Sequence, residues 1–271
     1  MEAKLSPGVG VLILLGVASA FASNHLCARI AFDHGVSVAA AVSVRATFTA
    51  LLLLAVMRFQ HISISIPRAL RAKTLLAGLL IASQSYCLYS AVALIGKERP
   101  RWRALAPMLL ALAGLALALN LRPDHFDADW AAVRAGVGWA FASGVSMTLV
   151  YYLNANALKP LDGRLRTFAM TAVTAILVIV AGAATGAHAL PRDGAGLAGV
   201  MLLAVFYCIA MISLFFVLPR LPSTSTAALN FEPIALLVLG WLILGITVTR
   251  LQIVGALLTV SAIAWLGVAK R

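Results

Sequence analysis

Apolar residues run in long blocks separated by short polar or charged breaks. Uninterrupted stretches lie near residues 9–32, 37–57, 74–95, 104–121, 135–157, 168–190, 195–218, 226–246 and 251–269. A hydrocarbon core about 30 Å thick is crossed by ~20 helical residues at about 1.5 Å each, so every one of these blocks predicts a spanning helix, the shortest with a small mismatch. Composition agrees. Of 271 residues 62% are apolar and 11% charged, with mean hydropathy +1.00, against roughly 45–50% and about 25% in water-soluble domains. A soluble globular fold is excluded, and the predicted class is an all-α polytopic membrane protein.

The net charge of +12 changes this picture little. Basic residues form short runs between apolar blocks, without a basic helix or interleaved aromatics, so they read as topology signals and nucleic acid is not an expected partner. Cys27, Cys87 and Cys208 sit inside apolar blocks with no CxxC or Cys/His pairing, which argues against disulfide scaffold and metal site alike. Lys4 before Val9–Val17, with Ala18-Ser19-Ala20 after it, has the outline of a signal peptide. The apolar stretch continues to Ile30, however, and Ala20-Phe21-Ala22-Ser23 recurs at residues 140–143, which helix packing explains in both places.

That recurrence is part of a longer repeat. Thr47-Phe48 matches Thr167-Phe168 at an offset of 120, and Tyr86-Cys87 matches Tyr207-Cys208 at 121. The next match, Ile95-Gly96 with Leu244-Gly245, has an offset of 149, so the first copy is 28 residues short, the length of one helix and its loop. The repeat unit therefore reads as five helices, with residues 1–122 as the first copy, lacking its fourth helix, and residues 135–271 as the second. Charge bias tests this separately. With ten crossings and the N-terminus inside, fifteen Lys and Arg fall on inner segments, among them Arg58, Arg68, Arg71, Lys73, Lys159, Arg164, Arg166 and Arg220. Only Arg122, Arg134, Arg192 and Arg250 fall outside. Nine alternating crossings give nine against ten, which is no bias. Two five-helix repeats have opposite orientation because five is odd, which predicts a ten-helix transporter fold of two inverted repeats.

The chain here resembles the EamA-like ten-helix exporters of the drug/metabolite transporter superfamily. The likeness rests on Ala20 to Asn24, Arg45, Gly96-Lys97-Glu98-Arg99-Pro100 before Gly114-Leu115-Ala116-Leu117, and Leu229-Asn230-Phe231-Glu232-Pro233-Ile234 before Leu244-Gly245. It extends over essentially the whole chain. The resemblance implies a multi-pass protein of the cell inner membrane, with both termini cytoplasmic, that exports small metabolites by alternating access. Two features depart from it: the absent fourth helix, and Ile246 where relatives carry an acidic residue after Leu-Gly.

Glu232 alone among nine acidic residues lies within a predicted span. A charge there costs about 2.5–3.5 kcal/mol on insertion scales, so it must be paired, protonated or facing a wet cavity. Its role is either proton or substrate coupling, or satisfaction of the backbone freed by Pro233. Arg45 is the most deeply placed cation and the expected partner of Glu232 or of a substrate carboxylate, with snorkelling as the alternative; Arg29, nearer its helix end, is expected to snorkel. His25 and Asn24 lie mid-helix, where His25 can relay a proton or simply pack. Gln84, Tyr86 and Tyr89 in helix three, Trp139 in helix six, Tyr207 in helix eight and Asn230 in helix nine complete a candidate substrate-binding set, although Gln84 and Tyr86 cannot face one point. Aromatic walls with amide and hydroxyl donors suit a small zwitterion. Tyr151 and Tyr152 are the weakest members.

These residues predict a secondary transporter whose partners are an amino acid or similar metabolite, the lipid bilayer and, as a candidate coupling ion, the proton. No GxxxxGK[ST], HExxH or GxSxG occurs, so neither primary transport nor an enzyme is expected, and no cofactor. Lys4, Lys73, Lys97, Lys159 and Lys270 all lie outside the spans, leaving no Schiff-base amine for retinal. A proton-coupled exporter of drugs or organic cations is the alternative. A non-transporting membrane protein is the alternative from another class.

Overall fold

The computed structural model describes residues 7–95, 130–217, 228–229, 231–245, 248, 250, 253–258 and 260–261. Over these residues the chain is a helical bundle of α1 (Pro7–Asp33), α2 (Val38–Phe59), α3 (Arg68–Ile95), α4 (Trp130–Ala155), α5 (Gly163–Thr185), α6 (Gly194–Val217) and α7 (Glu232–Leu244). Four helical stretches, Val9–Asp33 and the whole of α2, α5 and α6, are long and apolar enough to cross a membrane. With α3 and α4 of similar length packed among them, the protein is a polytopic membrane protein.

Local chemistry sets the boundaries. Ser37 caps α2 by accepting from the Ala40 amide at 3.1 Å, and Asp162 caps α5 by accepting from the Arg164 amide at 2.8 Å. Gly186 ends α5 in the left-handed conformation, φ +64°, open to a residue without a Cβ. These caps correct the block expected at 168–190, whose helix begins at Gly163 and stops at Thr185. The block expected at 74–95 begins earlier, at Arg68, because exposed Arg68, Arg71 and Lys73 are good helix formers whose stems lie along the helix while their charges reach outward. The block at 226–246 is shorter. Its α-helix starts at Glu232 after 3-10 residues at 228, 229 and 231, with Pro233 in the first turn where a missing N–H costs nothing. The expected span at 104–121 and most of that at 251–269 lie outside the described residues, as does Gly96, where the repeat offset jumps.

The extensive helix contacts are α1 with α6, α3 with α4, α2 with α5, α3 with α5, and α2 with α6. Exchanging α1, α2, α3 with α4, α5, α6 maps this set onto itself. Small residues permit the close approaches. A Cβ on Gly199 of α6 would stand 3.0 Å from the Ala31 amide nitrogen of α1, and one on Gly78 of α3 would stand 3.1 Å from the Met170 carbonyl of α5.

Connections meet in pairs at the two ends of the bundle. At one end the α1–α2 turn joins the α5–α6 connection: His34 Nδ1 lies 2.6 Å from Asp193 Oδ2, the Arg192 amide donates to the His34 carbonyl, and the Ser37 amide to that of Ala189. At the other end the α2–α3 connection joins the α4–α5 connection, where Arg164 donates to Gln60. Thus α3 ends, and α4 begins, at the end that holds His34. The connection from Ile95 to Trp130 leaves and returns on one side.

Arg166 is a correction to the charge reading. It belongs to the first turns of α5, 2% exposed, and donates to the Asn154, Leu158 and Phe215 carbonyls at 3.5, 3.3 and 3.2 Å. Asn154 and Phe215 lie in the last turns of α4 and α6, where carbonyls have no intrahelical donor. The guanidinium supplies those donors and meets the negative ends of both helix dipoles.

Candidate substrate and coupling site

Two polar groupings lie inside the bundle. The first joins α1 to α7. His25 Nε2 stands 2.9 Å from Glu232 Oε1, with the imidazole side chain 10% and the carboxylate 32% exposed. At 1.5 Å per residue His25 lies about 12 Å below the end of α1, well within the bilayer core. Glu232 reaches it because α7 starts at that residue, so its carboxylate occupies the positive end of the helix dipole. Tyr151 of α4, half-buried, is close enough to feel the Glu232 charge.

The second grouping runs across α2, α6, α3 and α4. The Arg45 guanidinium, 2% exposed, lies over the Tyr207 ring with 4.0 Å to the centroid. A desolvated cation–π contact of this kind is worth about 2 kcal/mol, which offsets much of the cost of a buried charge. The Tyr207 hydroxyl lies near Ser85. Ser85 donates to Gln84 Oε1 at 3.2 Å, and Gln84 Nε2 donates to Ser143 at 3.4 Å. Tyr207 and Tyr151 belong to one apolar cluster, with Phe21 and Met147 packed against it.

The expected site residues divide accordingly. His25 meets Glu232, whereas Arg45, expected as the partner of Glu232, rests on Tyr207; Gln84 joins that second group. Asn24 is fully buried and donates from Nδ2 to the Leu203 carbonyl at 2.8 Å, a contact that ties α1 to α6. Trp139 of α4 is 39% exposed. Asn230 and the side chains of Tyr86 and Tyr89 lie outside the described residues. Ser85 and Ser143 were not singled out from sequence, and Tyr151 was ranked among the weakest members of the set. Ser85 was signalled only by the triplet Ser83-Gln84-Ser85, and Ser143 was hidden in a motif read as packing.

Among the described residues no group of three His, Cys, Asp or Glu is placed to hold a metal ion. The arrangement offers instead a titratable pair, a buried cation on an aromatic face, and a chain of hydroxyl and amide groups between helices.

No family model and no curated protein matches the chain. A solved structure described only as "Crystal structure of protein" matches over 96% of this chain and 96% of its own, with a TM-score of 0.67 and 14% identity. At that identity the likeness is one of fold.

Proposed function

We propose that the protein is a secondary active transporter that exports small metabolites, amino acids foremost, by alternating access between two inverted five-helix repeats. The observation that carries this reading is the His25–Glu232 pair. Two titratable side chains in contact at membrane depth, one of them a third exposed, are costly to keep unless they exchange protons or bind a substrate. The neighbouring Arg45 and hydroxyl–amide chain would receive the carboxylate and ammonium of a zwitterion.

The exchange symmetry of helix contacts supports the inverted repeat. So does helix direction: α3 ends and α4 begins at the end that holds His34, so α1–α3 and α4–α6 run in opposite senses. On this reading the chain sits in the cell inner membrane with both termini cytoplasmic. It is not an enzyme and needs no cofactor.

A second reading, a proton-coupled exporter of organic cations or drugs, is favoured by one feature: Glu232 stands beside Tyr151 in an aromatic setting suited to a cation. Counterflow in proteoliposomes decides between them, with labelled amino acids, nucleosides and organic cations as candidates. Exchange of an amino acid supports the first reading and exchange of an organic cation the second. Absence of exchange across all classes, in protein that melts cooperatively, would contradict transport of these substrates.

A further inference from the structure

We propose that the groove between α3, α5 and the α2–α3 connection binds one anionic phospholipid. The groove holds about 700 Å³ and changes character along its length. Its mouth carries Ser63, Ser65 and Arg71; its inner wall is Leu75, Val173 and Ile176. Leu75 is 57% and Ile176 62% exposed, so this wall faces hydrocarbon. Arg71 and Leu75 are one helical turn apart, about 6 Å along the axis, which is the distance from a phosphate to the start of its acyl chains.

Charge at this end favours an anion. Arg58, Arg68, Arg71 and Lys73 are all exposed there. Among the described residues the acid at this end, Asp162, is already bound to Arg164 at 2.8 Å. The Arg71 Nε donates to the Ile66 carbonyl at 3.1 Å, which fixes the plane of the guanidinium. Its two terminal nitrogens make no ion pair among the described residues, and such a fork matches two phosphate oxygens, with the Ser63 and Ser65 hydroxyls as further donors. Thr74 is spent on the Leu70 carbonyl. A zwitterionic headgroup brings its own ammonium against these cations, whereas an anionic one does not. A free phosphate would leave the apolar wall unused.

The test uses the full chain, stripped of lipid and returned to mixed micelles of phosphatidylglycerol or phosphatidylcholine with identical acyl chains. Bound lipid is counted by native mass spectrometry. Phosphatidylglycerol is expected to be retained over phosphatidylcholine. Arg71→Gln should lower its occupancy about fivefold, the effect of one basic residue near an anionic surface. Arg58→Gln, exposed at the same end but off the groove, should leave it unchanged. Ala172→Trp fills the acyl wall without touching the arginine and should displace the lipid independently. Equal retention of the two lipids, unchanged occupancy in either groove variant, or full displacement by glycerol phosphate alone would overturn the site.

Discussion

Replacing Arg166 by methionine removes the donors from three buried carbonyls while keeping an unbranched apolar stem of similar reach. Hydrogen bonds to a charged group contribute about 1.5–3 kcal/mol each, and a buried group left unsatisfied costs about 1–3 kcal/mol. The 3.5 Å contact to Asn154 counts for little, so the loss falls on the Leu158 and Phe215 carbonyls at 3.3 and 3.2 Å. The desolvation of an unneeded buried cation is recovered in the variant. The expected net cost is about 3 kcal/mol. Two residues away, Arg164 is part-exposed and pairs with Asp162, and Arg164→Met should cost about 0–1 kcal/mol. Reversible denaturation in mixed SDS micelles, followed by helix content, measures both. Arg166→Lys should recover only part of the loss, because one ammonium cannot fork to α4 and α6 together. A cost below about 1 kcal/mol for Arg166→Met, or a larger one for Arg164→Met, would refute the claim that this arginine ties the ends of α4 and α6.

Two further outcomes follow from local geometry. Gly199→Val brings a side chain against the Ala31 nitrogen at 3.0 Å and the Cys27 carbonyl at 3.2 Å, backbone atoms that cannot rotate away. It should cost about 1–3 kcal/mol or more in a thermal melt, whereas Gly144→Val, with nothing within 4 Å, should cost far less. The Gly196 amide and then the His34 ring hold the Asp193 carboxyl below the usual carboxylate range. A depressed carboxylate stabilises above its unfolded value of about 4 and loses that contribution as pH falls through the lowered folded value. Hydrogen exchange in residues 34–37 and 189–193 should therefore rise on acidification below pH ~4 in the native chain. Asp193→Asn should show no such acid step.

Helix positions were legible wherever an apolar block ends at a strong polar break. The starts and ends of α1, α2 and α6 lie within two residues of the blocks at 9–32, 37–57 and 195–218. The start of α5 was not, because Asp162 and Gly163 look like loop and act as cap and first turn. For the same reason Arg166, read as one of a basic run with Arg164, could not be recognised as buried. Hydropathy counts a guanidinium as polar whether it faces water or three carbonyls. The Glu232 block likewise concealed that its α-helix begins at the acid itself. His25, Arg45, Tyr207, Gln84 and Glu232 stood out as polar groups at membrane depth, yet their partners did not. Pairing His25 with Glu232, and Arg45 with Tyr207, depends on how α1 meets α7 and α2 meets α6, which the periodicity of single helices does not contain.

The proposed transport function is tested most directly at Glu232, which on the proton-exchange reading of the pair with His25 would carry the driving proton. Glu232→Gln keeps the side-chain length and a hydrogen bond to His25 but removes titration, and it is measured in proteoliposomes loaded with the substrate that counterflow identifies. Counterflow is expected within about threefold of the native protein, since about 0.6 kcal/mol of binding is at stake in losing charge while keeping the contact. Uptake driven by an imposed pH gradient is expected to fall to the rate without a gradient. Native gradient-driven flux in Glu232→Gln would contradict that role for Glu232.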